Sequence, residues 1–393
     1  MTTPLSDRVQ RIKPSPTLAV TAKANELKAA GKDVIGLGAG EPDFDTPDFI
    51  KEAAIQAINA GFTKYTPVDG TAGLKKAIIA KFQRDNGLSY EPKQILVSCG
   101  GKQSFYNLAQ ALLNHGDEVI IPAPYWVSYP DMVLLADGSP VIVTAGIDQH
   151  FKITPAQLEA AITPRTKLVV INSPSNPTGV AYNAAELAGL GEVLRHHPQV
   201  YIATDDIYEH ILWTDEKFCN LLNVCPDLYD RTLVLNGVSK VYSMTGWRIG
   251  YCGGPKDLIN AMTNIQSQST SNPTSISQVA AEAGLNGDQS FVAMMTQAFR
   301  ERHDYVYGVL KAMPGVEVAP ADGTFYIFPN FQSAIERLGL ANDIVFAERL
   351  LNEVGVAVVP GSAFGAEGCA RISFATGMGN LTKALERIGR VIG

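Results

Sequence analysis

The sequence has 393 residues, of which 46% are hydrophobic and 18% are charged, with a formal net charge of −7 at pH 7. An average soluble protein has about 25% charged residues, so we expect a large core that is extended by a subunit interface. The acidic balance and the lack of any lysine- or arginine-rich run argue against a nucleic-acid partner. The length suits two or three domains.

The five cysteines are odd in number and scattered, without a CxxC pair or zinc-ligand spacing, so we expect neither a disulfide framework nor a metal site. The N-terminal stretch lacks the apolar core of a signal peptide. No apolar run approaches the roughly 18 residues of a membrane span. We therefore predict a soluble, cytoplasmic protein without a membrane partner.

The first predicted helix spans residues 17–30 and ends at Gly31, because glycine closes helices in a left-handed conformation. From residue 95 onward, short apolar segments alternate with helical patterns. Seven of these segments are predicted strands, at residues 95–98, 119–121, 141–143, 168–171, 201–204, 232–235 and 249–252. The connections are long enough for helical crossovers, which indicates an α/β domain with a mostly parallel sheet covered on both faces.

A helix of about six turns is predicted over residues 291–313, where apolar residues recur at the helical period. After Pro314 the pattern changes to short strands at 316–318, 325–328, 356–359 and 371–374, with helices near 342–352 and 381–391. We expect three parts. They are an N-terminal segment (1–45) packed with the small domain, a large domain (46–313) and a smaller C-terminal α/β domain (314–393).

The most informative segment, SKVYSMTGWRIGY, begins at Ser239, just after the predicted strand 232–235. Ligands bind at strand ends in open parallel sheets. Lys240 lies beside a hydroxyl, with Arg248 eight residues later, which suits a carbonyl cofactor that carries a phosphate. Burial would lower the lysine pKa and free the amine to form a Schiff base, although a lone lysine after a strand is more often merely solvated.

Three further segments supply what a pyridoxal phosphate site would need. In TDDIYEH, either Asp205 or Asp206 could hold a pyridine nitrogen protonated, and only one can face the site because adjacent strand residues point to opposite faces. In NSPSNPTG, Asn176 could bond a phenolic oxygen, although asparagine before proline is also a common turn former. GGKQ, from Gly100, joins a strand to a helix whose first amides could receive a phosphate, although tight turns also use glycine pairs.

Together these segments resemble the fold type I pyridoxal-phosphate enzymes, specifically the class I aminotransferases. The likeness is strongest to the bacterial aspartate aminotransferase subgroup with SPSNPTG and MTGWRIGY. It runs from KPSPTLAV at Lys13 to ARISFAT near the other end of the chain. The resemblance implies a large domain with a mostly parallel seven-stranded sheet that binds pyridoxal 5′-phosphate, a smaller α/β domain, and a homodimer with shared active sites.

The resemblance also implies roles around the cofactor. Lys240 matches the lysine that bonds the cofactor carbonyl and then carries the proton from the substrate Cα. Asp205, in a DxxY pattern with Tyr208, matches the partner of the pyridine nitrogen, which leaves Asp206 a structural role. Tyr208 and Asn176 match the donors to the phenolic oxygen.

The ring and the phosphate have matching residues as well. Trp126 of PYWVSY matches the aromatic side chain that stacks on the ring, with plain core packing as the alternative. Tyr65 of KYTPVDG matches a phosphate ligand donated by the second subunit. The other phosphate ligands implied are Gly101, Lys102, Ser239 and Arg248.

For the substrate, Arg371 matches the bidentate clamp on the α-carboxylate, and Gly40 would lie against that carboxylate, where a side chain would collide. Ser15, Thr17 and Lys102 match the groups that bind the distal carboxylate of a dicarboxylic substrate. Ser15 and Thr17 could equally cap the first helix. The substrate set is completed by Trp126, Asn176 and Lys13.

The implied function is amino transfer between L-aspartate and 2-oxoglutarate in two half-reactions. Lys13 occupies the place of a lysine implicated in prephenate binding in some members, although an exposed lysine needs no function. The alternatives are an aminotransferase for alanine, aromatic amino acids or prephenate, and a pyridoxal-phosphate lyase. A third alternative is a regulator that senses effectors through this fold, but it would need a DNA-binding module, for which the stretch before GAGEPDF is too short.

Overall fold

The computed structural model describes residues 3–393, so residues 1–2 of the predicted N-terminal segment lie outside the described residues. The strands in this range are β1 Ile35–Gly36, β2 Ile95–Ser98, β3 Glu118–Ala123, β4 Ser139–Thr144, β5 Thr166–Asn172, β6 Tyr201–Asp205, β7 Thr232–Gly237, β8 Gly250–Gly253, β9 Tyr326–Ile327, β10 Val356–Ala357, β11 Val359–Pro360 and β12 Ala370–Ser373.

The helices of the same range are α1 Asp7–Gln10, α2 Pro16–Ala29, α3 Asp48–Asn59, α4 Ala72–Lys81, α5 Gly101–Leu112, α6 Ser128–Leu135, α7 Pro155–Ala161, α8 Ala184–Arg195, α9 Leu221–Val224, α10 Lys256–Ser267, α11 Ser275–Asn286, α12 Ser290–Lys311, α13 Gln332–Arg337, α14 Asp343–Val354 and α15 Met378–Ile392. None of them combines the length and the apolarity that crossing a bilayer requires.

The main sheet of the described chain has seven strands in the order β2-β8-β7-β6-β5-β3-β4. Only β8 runs antiparallel to its neighbours β7 and β2. Each of the seven predicted strands is confirmed, with ends that differ by at most two residues. The prediction of a mostly parallel sheet is therefore also confirmed.

Strand β5 illustrates how the sheet is covered on both faces. Leu168 and Val170 belong to one hydrophobic cluster, whereas Val169 and Ile171 belong to another. Because alternate strand residues point to opposite faces, the two clusters lie on opposite sides of the sheet. Helices α5 and α10 contribute to the first cluster, and α8 and α11 contribute to the second.

The C-terminal part confirms some predicted strands and corrects others. Strand β12 lies between β11 and β9 in an antiparallel sheet. The predicted strand 356–359 is two short strands, because β10 pairs with β1 of the N-terminal segment whereas β11 pairs with β12. The predicted strand 316–318 is wrong, since Glu317 makes only an isolated bridge to Asn330. The division at residues 45 and 313 stays a prediction.

Both long helices named from the sequence are confirmed, as α2 and α12. Gly31 has φ +80°, and its amide and that of Lys32 donate to the last carbonyls of α2, which closes the helix as predicted. The sequence prediction lacked α1, because a four-residue helix is too short to show a periodic pattern.

Candidate active site

The carboxyl ends of β2, β3, β5, β6 and β7 meet at one edge of the main sheet, because these strands run parallel. A cavity of about 400 Å³ opens there. The structure brings most of the predicted residues together around it: Ser15, Thr17, Gly40, Gly101, Lys102, Trp126, Asn176, Asp205, Tyr208, Ser239, Lys240, Arg248 and Arg371.

Lys240 follows β7 and is half-buried in the wall of this cavity. Its Nζ donates to the Gly40 carbonyl oxygen at 2.5 Å and lies 5.8 Å from the centre of the Tyr208 ring. Burial, with the positive charge of Arg371, lowers the pKa of Lys240 to about 8. About half of the amine is therefore neutral near pH 8, far more than for an ordinary lysine, which suits a nucleophile and a proton carrier.

This lowered pKa predicts the pH profile of Lys240 reactivity in the cofactor-free chain. The rate of its modification by acrylonitrile, followed by mass spectrometry, should rise roughly tenfold between pH 7 and 9 and then level off. A lysine with the usual pKa of about 10.4 would instead show a roughly hundredfold rise over the same range. That outcome would contradict the buried environment described above.

Asp205 ends β6 and faces the cavity, whereas Asp206 turns away and bonds the buried Asn220. Burial raises the pKa of Asp205, although Tyr129 Oη donates to its Oδ2 at 2.5 Å and opposes the shift. A carboxyl group with a raised pKa in a buried position can share a proton with a ring nitrogen. Of the two aspartates, only Asp205 lines the cavity.

The sequence analysis missed Tyr129, which holds Asp205 in place. Tyr129 is buried one helical turn after Trp126, and the two rings pack edge to face with centroids 5.1 Å apart. Tyr129 is the last residue of PYWVSY, which was the only sequence feature that could have indicated it. That pattern does not distinguish a tyrosine in the core from one that bonds a carboxylate on another strand.

The first turn of α5, a hydroxyl group and a guanidinium line this cavity. The amides of Gly101 and Lys102 have no intrahelical acceptor, as at the start of any helix. Ser239 and Arg248 also line the cavity, and Arg248 Nη2 donates to the Cys99 carbonyl oxygen at 3.3 Å, two residues before α5 begins. Arg248 Nη1 is held by the Thr245 carbonyl oxygen at 2.8 Å, which leaves positive charge beside the free amides. This donor set suits a phosphate group.

Gly100 makes this arrangement possible, because a Cβ there would lie 2.3 Å from Arg248 Nη2 and the backbone φ is +89°. We predict that Gly100→Ala weakens pyridoxal phosphate binding roughly tenfold or more, measured by titration of the cofactor-free protein. Gly116→Ala is the matched control, since Gly116 has φ +86° but open space around it. Equal cofactor affinity in the two variants would show that the contact with Arg248 is irrelevant.

Arg371 lies on β12 and is only 2% exposed. Its Nη1 donates to Asn176 Oδ1 at 2.9 Å and its Nη2 to the Gly38 carbonyl oxygen at 2.7 Å, while its Nε has no partner. Burial lowers the pKa of Arg371. No carboxylate of residues 3–393 forms an ion pair with it. An unpaired buried charge is costly, so this position favours an incoming anion.

Tyr326 is a second residue that the sequence analysis missed. Its ring lies 4.4 Å from the Arg371 guanidinium carbon, and its Oη is 3.2 Å from Tyr208 Oη. A Cβ on Gly40 would approach this Oη to 3.1 Å and Arg371 Nη2 to 4.0 Å, so a side chain at Gly40 would crowd the Tyr326 hydroxyl and only touch the guanidinium. Only the pairing of β9 with β12 brings Tyr326 beside Arg371, and no local pattern predicts that pairing.

The N-terminal segment contributes hydroxyl groups to the cavity. Ser15 precedes α2 at the capping position, but its side chain makes no capping bond, and the buried Thr17 Oγ1 has no partner. The alternative of side-chain capping is therefore wrong for Ser15. Lys102 lies nearby, 5.3 Å from the Trp126 ring centre, and partial burial together with Arg248 lowers its pKa. Ser15, Thr17 and Lys102 line the same cavity as Arg371.

Two predicted residues lie outside this cavity. Lys13 is exposed on the segment before Ser15. Tyr65 is 91% exposed, and it does not reach the cavity of its own chain.

The cavity as a whole combines a lysine with a lowered pKa, a carboxyl group with a raised pKa, an aromatic side chain and a group of anion-binding donors. That set fits a phosphorylated pyridine aldehyde such as pyridoxal phosphate.

Comparisons with known proteins agree with this geometry. Residues 32–388 match the family model described as aminotransferase class I and II. The chain is 61% identical over 394 residues to the aspartate/prephenate aminotransferase of Nitrosomonas europaea, with 99% of each chain covered. The aspartate aminotransferase of Rhizobium meliloti is similar with a TM-score of 0.94 and 48% identity, covering 100% of this chain and 99% of that one. The Thermus thermophilus aspartate aminotransferase with maleate also has a TM-score of 0.94, with 45% identity and 99% and 100% coverage.

Proposed function

The chain belongs to the class I and II aminotransferases, which are pyridoxal-phosphate enzymes, and we propose that it transfers the amino group of L-aspartate to 2-oxoglutarate. The products are oxaloacetate and L-glutamate. The observation that carries the proposal is Arg371, a buried guanidinium without an anionic partner in residues 3–393, in the same cavity as Lys240. The names of the relatives support the same substrate class.

The residues that would hold the cofactor come from five strand ends. Asp205 would pair with the ring nitrogen and Trp126 would cover one ring face. The phenolic oxygen and the phosphate would be held by Tyr208, Asn176, Ser239, Arg248, Gly101 and Lys102. When bound, the cofactor supplies an electron sink that stabilises negative charge at the substrate Cα.

Lys240 moves the proton in this scheme. Its Nζ takes the proton from the substrate Cα, because the lowered pKa makes a neutral amine available near neutral pH. The Gly40 carbonyl oxygen accepts a hydrogen bond from Nζ and so orients the amine in the cavity. The same groups serve both half-reactions, which predicts parallel lines in double-reciprocal plots against the two substrates.

Two positions would select a dicarboxylic substrate. Arg371 binds the α-carboxylate that every donor and acceptor carries, and its planar guanidinium matches that group with two hydrogen bonds. Ser15, Thr17 and Lys102 would bind the distal carboxylate, since Thr17 Oγ1 is buried without a partner and Lys102 is positively charged. Loss of the distal carboxylate would leave these groups unpaired.

The proposal is tested by a panel of amino acids, each with 2-oxoglutarate, in which L-glutamate formation is measured. We expect aspartate to give the highest kcat/KM. Faster transfer from alanine or an aromatic amino acid would refute the dicarboxylic assignment. Pyruvate or ammonia formed without any keto-acid acceptor would instead identify a lyase.

Prephenate is a second proposed acceptor, because the Nitrosomonas europaea relative is named an aspartate/prephenate aminotransferase. We propose that Lys13, two residues before Ser15, contacts this larger substrate when it is bound. Lys13→Ala should then raise KM for prephenate and leave KM for 2-oxoglutarate unchanged. Equal effects on both acceptors would assign Lys13 no part in selecting prephenate.

We further propose a homodimer in which Tyr65 contacts the cofactor phosphate of the partner subunit. Tyr65 is 91% exposed, and exposed apolar side chains lie near it in the chain, at Phe49, Ile55, Ile58 and Phe62. Hybrids of Lys240→Ala and Tyr65→Ala subunits test this arrangement. A site shared across subunits gives each hybrid one complete site, which binds the cofactor with native affinity and supplies about half of the native activity. A site within one chain leaves no complete site, so no site in the hybrid binds the cofactor with native affinity.

The cellular location and the domain limits are also proposals. All five cysteines are free thiols, which suits the reducing cytoplasm. The pairing of β1 with β10 supports an N-terminal segment (1–45) that packs with the small domain (314–393). Limited proteolysis that releases the large domain near residues 45 and 313 would support those limits, and cleavage elsewhere would move them.

A further inference from the structure

The segment that presents Tyr65, here called the Tyr65 loop (residues 62–71), joins α3 to α4. The Tyr65 side chain is 91% exposed, yet the loop around it is bound to the body of the protein. The Phe62 carbonyl oxygen accepts a hydrogen bond from Ser275 Oγ at 2.8 Å, and Val97 N donates to the Asp69 carbonyl oxygen at 3.1 Å. The loop is therefore fixed at both ends.

Gln278 of α11 forms hydrogen bonds to this loop at Thr66 and Thr71. Its Nε2 donates to Thr66 Oγ1 at 3.0 Å, directly beside Tyr65, and to the Pro273 carbonyl oxygen at 2.8 Å. Its Oε1 accepts from the Thr71 amide at 2.8 Å. Gln278 is completely buried, so these bonds satisfy an amide that would otherwise be costly to bury.

A second buried glutamine, Gln266 of α10, extends the same support. Its Nε2 donates to the carbonyl oxygens of Val68 and Val97, both at 2.8 Å, and so ties the loop to strand β2. Its Oε1 accepts from Asn107 Nδ2 at 2.9 Å. The loop thus rests on two buried amide side chains from α10 and α11.

Tyr65 is an exposed aromatic side chain on a loop that buried side chains of α10 and α11 hold in place. Such a side chain is pre-organised for a contact outside its own chain. Ordering a loop only on binding would cost affinity, and fixing it beforehand removes that cost. We propose that Gln278 is a positioning residue. It holds the Tyr65 loop so that Tyr65 reaches the cofactor phosphate of the partner subunit. This inference rests on the homodimer proposed above.

Cofactor affinity provides the first test. We expect Gln278→Met, which keeps the length of the side chain but removes its hydrogen bonds, to weaken pyridoxal phosphate binding to the cofactor-free dimer roughly tenfold. Thr66→Val removes the acceptor beside Tyr65, together with the exposed bond from Thr66 Oγ1 to the Pro67 carbonyl oxygen, and should act in the same direction. It keeps the test valid if Gln278→Met folds poorly. Gln289→Met is the matched control. Gln289 bonds Tyr242, Gly284 and Gly287 at the other end of α11 and should leave the affinity unchanged.

A double variant shows whether Gln278 affects cofactor affinity through Tyr65 or by stabilising the protein in general. In a Tyr65→Phe background, Gln278→Met should cause little further loss of cofactor affinity, because the bond that it positions is already absent. A full additional loss in that background would overturn the inference, since Gln278 would then act on cofactor binding by another route.

Hybrid dimers provide the second test. In a hybrid of Lys240→Ala and Gln278→Met subunits, the competent site lies in the Gln278→Met subunit and receives Tyr65 from the other. We expect that site to bind the cofactor with native affinity, and a retained defect would overturn the inference. A parallel hybrid with Tyr65→Phe distinguishes the two proposals. If the site in the Tyr65→Phe subunit of that hybrid also keeps a weakened cofactor affinity, the proposal of a site shared between subunits is wrong.

Discussion

Replacing Lys240 with alanine is expected to lower the rate of amino transfer by roughly 10⁴-fold or more. The substitution removes both the amine that would bond the cofactor carbonyl and the group that moves the proton from the substrate Cα. No other lysine replaces it, because Lys102, the second lysine that lines the cavity, is placed beside Trp126. Stopped assays of L-glutamate formation measure the loss.

The control for this variant is Lys383→Ala, which removes an exposed lysine of α15 that does not line the cavity. It should leave the rate unchanged, and both variants should unfold at nearly the native temperature. Residual activity within tenfold of the native rate in a well-folded Lys240→Ala protein would assign the chemistry to another residue.

Replacing Arg371 with alanine is expected to lower kcat/KM roughly 10³-fold, because a buried, hydrogen-bonded partner of the substrate carboxylate is lost. The loss should be similar for every amino acid tested, since all of them carry an α-carboxylate. Arg371→Lys should recover only part of the activity, because an ammonium group keeps the charge but lacks the planar pair of donors. Steady-state kinetics with aspartate and alanine measure both effects.

Lys102→Met is the comparison for Arg371, since Lys102 is assigned to the distal carboxylate. It should impair aspartate and glutamate but spare alanine. If Arg371→Ala instead affects aspartate alone, the two carboxylate positions are exchanged. If neither variant changes kcat/KM, the cavity does not bind carboxylates as proposed.

Much of the site was predictable because its residues follow strands in short, recognisable turns. Lys240, Asn176 and Gly101 each come shortly after an apolar segment, and parallel strands end at the same edge of a sheet. Local patterns therefore predicted the seven strands, the two long helices and the edge at which the functional residues meet. The family resemblance, rather than any spacing, supplied their roles.

The tertiary structure decided what depends on contacts between distant segments. It placed Tyr129 on Asp205, paired β9 with β12 so that Tyr326 lies on Arg371, and split the predicted strand 356–359 between two sheets. It also left Arg371 without an anion in the described chain. The sequence by itself determined the main elements and most of the chemically competent residues, because periodicity and turn composition are local. Burial, pairing and charge compensation are properties of the folded chain, so only the tertiary structure could determine them.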